Sequence, residues 1–258
     1  MEDPALQRAN SQPLEPLRLD ASGRVNSIAE QVFRTLRTSI VTMRLTPATA
    51  LSEQDIADRL KVSRQPVREA FIKLSEIGLV RVLPQRGTFV VKISAKAVTD
   101  ARFVREAVEC AIARRASEGI GKPEIGALRA IIAAQRKAAR SADAEEFFLL
   151  DEAFHRGLAN AAECAYAWKV IEEAKAQMDR VRFLSLPDAT PIDRLIVQHQ
   201  AILDAIAAGR GAAAEQAMRD HLREILNSLP RLSRAFPEMF EADELAPAEP
   251  KGRKKAAR

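Results

Sequence analysis

The apolar positions of this chain change their period twice within the first ninety or so residues. From Val25 to Met43 they recur in steps of three and four, at Ile28, Val32, Leu36, Ile40 and Met43, which predicts an amphipathic helix ending before TPAT. Ser52 then heads a short helical run, SEQDIADRL, with Asp55 three residues on as an acidic form of the capping box, and KV follows as a turn. A third helix is predicted from Ser63, as N-cap, to about Ile77, with Gly78 as its stop. The period next falls to two in LVRVLP and GTFVVKI, β-branched runs parted by QRG, the pattern of a β-hairpin. Three helices and a hairpin predict a winged helix-turn-helix over residues 24–93.

Beyond Ser94 the helical period returns and no strand pattern follows. Helices are expected near 98–118, 123–140, 143–162, 165–185, 191–208 and 212–229, with breaks at Gly119/Gly121, Pro187, Pro191 and Gly209/Gly211. The fold class is therefore mainly α: a winged helix-turn-helix followed by an all-α antiparallel bundle over residues 94–236. Residues 1–23 mix Pro, Gln, Ser and charges without a period and read as a flexible arm. Residues 237–258 offer little to bury and read as a disordered tail, whose basic end adds weak attraction for nucleic acid.

Composition changes this picture little. Aromatics are sparse and Ala, Leu, Arg and Glu abound, which favours helices. Cys110 and Cys164 lack CxxC spacing, so a disulfide framework or thiolate zinc site has no support, and both read as buried thiols. No apolar run reaches signal-peptide length near the start or the roughly eighteen residues of a membrane span, so a cytoplasmic protein is expected. Charge matters more. Residues 24–92 hold twelve Lys or Arg against six Asp or Glu, whereas residues 93–240 hold twenty-one of each. A positive excess confined to the predicted winged helix suits a polyanion, because neutralised phosphates release counterions.

The stretch KVSRQPVREAF carries the chemistry of that block. Pro66 falls in the first helical turn, where its missing N–H costs no intrahelical bond. Arg64 and Arg68 lie one turn apart with Gln65 beside them, and Val67, Phe71 and Leu74 form the opposite stripe. Arginine reads guanine with two hydrogen bonds and glutamine can read adenine, so this end of the helix suits base edges and phosphates.

A second constellation lies in the bundle, which holds all three histidines. In FFLLDEAFHRGL, Asp151 and His155 stand one turn apart at the edge of the stripe of Phe147, Phe154 and Leu158. His199 falls among Leu195, Ile202 and Ile206, and His221 flanks Met218, Leu222 and Ile225. One oxygen and three nitrogens directed inward from three helices suit a divalent transition metal, Zn²⁺ first, with Ni²⁺ or Mn²⁺ as alternatives. Three hydrogen-bonded core histidines are the competing reading. A metal with open coordination positions would take an oxygen-rich anion, and Arg105, beside Val104, Val108 and Ile112, could clamp its carboxylate. Arg180 and Arg182 in MDRVRF are further candidates, with surface salt bridging as the alternative.

The block LSEQDIADRLKVSRQPVREAFIKLSEIGLVRVLPQRGTFV resembles the DNA-binding domain of the GntR family of bacterial transcription regulators, with its LSE, VSRxPVREAL, GLV and PxRGxxV elements. That resemblance implies that Ser63, Arg64, Gln65 and Arg68 belong to a recognition helix and that Arg86 and Gly87 form a wing tip entering the minor groove. Gln54 stands where relatives carry a DNA-contacting arginine. The bundle resembles the FCD effector domain of the FadR subgroup, whose metal-containing members use an Asp-x3-His pair and two later histidines. Asp151, His155, His199 and His221 match that set, and the resemblance also points to Arg105 as an effector contact.

These readings converge on a homodimeric transcriptional repressor, not an enzyme, that binds a palindromic double-stranded operator and responds to a small carboxylate or sugar acid at a metal. Two alternatives compete. A constitutive DNA binder would keep the metal as a structural element. A metallohydrolase would use it to activate water, but no glutamate stands in a HExxH arrangement to act as base.

Overall fold

The computed structural model describes residues 27–186 and 190–242. The predicted arm over 1–23, the break at Pro187 and the basic end of the tail lie outside the described residues. The first part is built from α1 (Ile28–Val41), β1 (Ala50–Leu51), α2 (Glu53–Leu60), α3 (Arg64–Glu76), β2 (Val80–Leu83) and β3 (Gly87–Val90). Val32, Leu36 and Ile40 of α1 meet Ile56 and Leu60 of α2, and Val67, Phe71 and Leu74 of α3, in one core. Each such side chain contributes roughly 1.5–3 kcal/mol when fully buried. Ser52 caps α2 by accepting from the Asp55 amide at 3.2 Å, and Lys61 ends that helix in the left-handed conformation at φ 56°. Gly78 turns the chain out of α3 at φ 70°, a conformation glycine adopts without strain.

Two local expectations fail here. Ser63 precedes α3 in extended conformation, yet its side chain makes no capping bond, so Pro66 in the first turn and the tertiary core start that helix instead. The hairpin forms, with Leu83 opposite Gly87, but β1 adds a third strand in the order β1-β3-β2. Ala50 and Leu51, two residues before Ser52, are too short a run to show a period of two.

The helical part contains α4 (Ala95–Ala116), α5 (Lys122–Arg140), α6 (Ala144–Ala161), α7 (Ala165–Ala174), α8 (Ala176–Ser185), α9 (Ile192–Ala207), α10 (Gly211–Arg223) and α11 (Ile225–Ala235). Eight helices among the described residues replace the six expected. The run 165–185 divides at Lys175 although it lacks Gly and Pro: Trp168 and Ile171 bury in the bundle core, whereas Ala176 buries in the core of the winged helix. The run expected at 212–229 divides at Glu224, where amide bonds step from i−4 to i−3 (Glu224 to His221, Asn227 to Glu224), and α11 carries on to Ala235 with Pro230 inside it.

The tail expectation also needs correction for the residues that can be seen. Pro237–Met239 form a 3₁₀ turn, and Phe240, buried, lies beside Ile93 in a parallel bridge. The Ile93 amide donates to the Met239 carbonyl and the Glu241 amide to the Ile93 carbonyl, each at 2.9 Å. Two apolar residues, Met239 and Phe240, suffice to dock this segment on a cluster with Ile93, Val98, Met178, Val181 and Leu229. Among the described residues no helix is long and apolar enough to cross a membrane.

Candidate functional site

Arg64, Gln65 and Arg68 stand exposed at the start of α3. Both arginines reach back to one carboxylate, Glu53 at the start of α2: Arg64 Nη2 donates at 2.9 Å, and Arg68 donates through Nε and Nη2 at 3.1 and 3.0 Å. The two guanidinium groups therefore share one face, as their spacing predicts. Gln65 donates to Glu69 at 3.0 Å and Gln54 to Asp58 at 2.9 Å, each a one-turn partner on its own helix. Arg86 and Gly87 sit exposed at the hairpin tip, where the Arg86 amide closes the turn on the Leu83 carbonyl at 3.1 Å. These residues lie on two helix starts and one hairpin, the geometry a duplex groove requires.

In the bundle, α6, α9 and α10 bring Asp151, His155, His199 and His221 together, all buried, with one ligand atom from each within 4.8 Å of the others. The three imidazole Nε2 atoms converge: His155 to His221 at 3.1 Å and His199 to His221 at 3.3 Å. Asp151 Oδ1 lies 3.4 Å from His199 Nε2.

Two of the other ring nitrogens are hydrogen-bonded to a glutamine oxygen, and the third lies beside a carboxylate. His199 Nδ1 is 2.9 Å from Gln135 Oε1, and Gln135 is oriented by donating its own amide to the Leu150 carbonyl at 3.1 Å. His221 Nδ1 is 3.0 Å from Gln198 Oε1, and Gln198 donates to Glu224 at 3.3 Å. His155 Nδ1 lies 2.5 Å from Glu109 Oε2 in a short, bent contact. The glutamine oxygens only accept, so Nδ1 of His199 and of His221 carries the proton and their Nε2 atoms present lone pairs to the same point. Lone pairs so close repel unless a cation lies between them, and a polar partner on the remote nitrogen is how metal-binding imidazoles are oriented. Burial first, and then the neighbouring histidines and the positive charges of Arg105 and Arg182, hold His199 and His221 well below the ordinary histidine value, so both are neutral at pH 7. The residues fit a divalent metal.

A small cavity adjoins this cluster, with Arg105, Asp151, Arg182 and His221 among its walls and Phe147, Phe148, Leu186 and Leu195 as apolar lining. It is narrow inside and partly open to solvent. Arg105 is buried, with Nε donating to Glu109 at 2.5 Å and Nη2 without a partner. Arg182 donates to Asp151, to Glu152 at 2.7 Å and to Asp179 at 3.1 Å. Arg180 does not line the cavity. It stands on the side of α8 away from Met178 and Arg182, with Nη1 turned to Gln177 Oε1 at 3.3 Å; burial lowers its pKa to about 10. It lies two positions from either wall residue, which puts a helical side chain on the opposite face.

Glu109, Gln135, Gln198, Glu152, Lys175 and Asp179 escaped the sequence reading. Glu109 could have been sought one turn from Arg105, since buried arginine demands a carboxylate. Although burial raises a carboxyl pKa, Arg105 and His155 hold Glu109 well below the ordinary value. The glutamines carry no local signal, because their partners lie on other helices.

Comparison with known proteins follows this division of labour. Residues 28–90 match the profile of bacterial regulatory proteins, gntR family, and residues 100–224 that of the FCD domain. The chain is 41% identical over 216 residues to the HTH-type transcriptional repressor RspR of Escherichia coli (strain K12), covering 84% of this chain and 95% of that protein. It is 37% identical over 222 residues to an HTH-type transcriptional regulator in an unstable DNA locus of Streptomyces ambofaciens, covering 86% and 92%. The solved structure of E. coli McbR/YncC superposes with a TM-score of 0.73 at 17% identity, over 81% of this chain and 99% of that one, a likeness of fold.

Proposed function

The chain belongs to the gntR family of bacterial regulatory proteins and carries an FCD domain, and from that premise we propose a homodimeric repressor whose operator affinity is set by a small carboxylate or sugar acid bound beside a metal. The relatives and families it matches are transcriptional regulators, not enzymes. In this reading residues 24–93 bind DNA and residues 94–236 dimerise and bind the effector. Arg64, Gln65 and Arg68 meet base edges and phosphates, with Ser63, Gln54, Arg86 and Gly87 against the backbone and minor groove. Two copies related by a two-fold axis would meet a palindromic operator.

The observation that carries the metal half is the convergence of three imidazole Nε2 atoms and the Asp151 carboxylate on one point, with His199 and His221 fixed from behind by glutamine oxygens. Asp151, His155, His199 and His221 would hold the ion, with Zn²⁺ favoured by three nitrogens and one oxygen and Ni²⁺ or Mn²⁺ as alternatives. The ion supplies open coordination positions to an anion. Charge supports an anionic effector as well. Asp151, Glu109, Glu152 and Asp179 face Arg105, Arg182, Lys175 and Arg37 in near balance. A divalent cation added to that buried set leaves excess positive charge, which a carboxylate against the open Nη2 of Arg105 would neutralise.

The deciding measurement is metal content of purified protein beside a His199→Ala/His221→Ala variant. The wild type should carry one ion per chain and the variant none; equal contents would remove the ligand assignment. Arg105→Ala should then abolish the effector response while leaving operator binding without effector intact. A purely structural metal, the competing reading, predicts instead that no small carboxylate alters operator affinity in either protein.

A further inference from the structure

Helix α8 belongs to both halves of the molecule. Its first residue, Ala176, is buried in the core of the winged helix. The next, Gln177, donates through Nε2 to the carbonyl of Gly78 at 2.5 Å, the residue that ends the turn after α3. Asp179, fully buried, accepts from Arg37 of α1 at 2.7 Å and from Lys175 at 2.6 Å. One turn on, Arg182 and Ser185 form part of the cavity wall, and Arg182 joins the metal ligand Asp151 to Glu152 and back to Asp179. A continuous set of buried ionic contacts therefore runs from Asp151 through Arg182 and Asp179 to Arg37, and a backbone contact runs from the same helix to the end of α3.

We propose that α8 is the element through which occupancy of the metal and effector site repositions the DNA-reading helices, with Arg182, Asp179 and Arg37 as its ionic link and Gln177 to Gly78 as its mechanical one. This rests on the reading of the Asp151 cluster as a metal site. Two observations put the helix in a position to respond. First, α8 supplies Met178, Arg182 and Ser185 to the wall of the cavity beside the histidines, so whatever enters that cavity meets this helix. Second, Asp151, one of the four residues that could hold a metal, is also the carboxylate that accepts from Arg182. With a cation held by Asp151 and the histidines, Asp151 would bind Arg182 less strongly, and Arg182 would turn toward Glu152 and Asp179, where it competes with Arg37 for the same carboxylate. A short helix packed in a dense interior transmits such a change as a shift of the whole element.

The test uses full-length protein with Zn²⁺ as the only added ligand, followed by hydrogen exchange against chelated protein. In the wild type, Zn²⁺ should change exchange several-fold within α6, α9 and α10, and also in residues 28–41 and 74–79. In an Arg37→Gln/Gln177→Ala variant the change should remain in the bundle and vanish from the winged helix, and Arg37→Lys alone should keep part of it. The fold should survive, because Asp179 keeps Lys175 and Arg182, and a urea titration checks this. A wild-type response confined to the bundle, or a double variant whose winged helix responds as the wild type does, overturns the coupling. No response even in the bundle overturns the metal reading itself, and the inference with it.

Discussion

Arginine and carboxylate meet in two regions of this molecule with opposite consequences. At the start of α3, Arg64 and Arg68 lean on Glu53 while 56% and 52% of their side chains remain exposed. Around the histidines, Arg105, Lys175 and Arg182 pair with Glu109, Glu152, Asp179 and Asp151 almost wholly out of water. Exposed pairs contribute about 0–1 kcal/mol and are screened by salt, so the α3 arginines can leave Glu53 for a phosphate at little cost. Buried pairs cannot be opened by deleting one side without stranding the other. The surface set is held ready for an outside partner; the interior set has its charges committed, and only a charged ligand can rearrange them.

The sharpest way to break that contrast is Glu109→Ala. It strands the Arg105 guanidinium, already short of one partner, in the interior, and should cost about 3–5 kcal/mol in urea denaturation; a loss under about 1 kcal/mol would mean the interior set behaves like the surface one. Metal removal comes next. Zn²⁺ at a hundred times its dissociation constant should stabilise the wild type by about 2.7 kcal/mol and the His199→Ala/His221→Ala variant not at all, read by thermal unfolding.

At the surface, Arg64→Ala or Arg68→Ala should weaken binding to a DNA fragment selected in vitro by about 1–3 kcal/mol and lower its salt dependence, while unfolding shifts by less than about 1 kcal/mol. Acid gives a further contrast in the metal-free protein. His199 and His221 have folded-state values well below 6.5, so the unfolded chain binds their protons first. Stability should be full above pH 6.5 and fall as pH drops below it, measured by urea midpoints across pH, and the double histidine variant should flatten that fall. The smallest effect on stability belongs to Glu53→Gln, within about 1 kcal/mol, with DNA affinity raised because Arg64 and Arg68 lose their internal competitor; weakened DNA binding would instead make Glu53 a positioning group.

The same contrast explains what could be read in advance. The α3 start is legible because it is local: Pro66 in the first turn, arginines one turn apart and Gly78 at the stop are facts of adjacent residues. The clustering of Asp151 with the three histidines was legible too, since Asp151 and His155 share a helical face and His199 and His221 fall within or beside apolar stripes. The oxygens behind the imidazoles were not, because Glu109, Gln135 and Gln198 meet their histidines only once α4, α5 and α9 pack. The division at Lys175 has no breaker residue; it exists because a lysine is drawn inward between Glu152 and Asp179. Arg180 shows the converse error, a residue of suitable type placed on the wrong face by two positions.

The small bridge between Ile93 and Phe240 carries its own consequence. It joins the chain entering the bundle to the chain leaving it, so the helical part is closed like a loop with its two ends pinned just past the wing. Torque passing between the two halves is then borne by two strands of backbone instead of one linker. A cut after Phe236 would leave Asp151, the three histidines and the exposed arginines of α3 in place, yet make the joint slack.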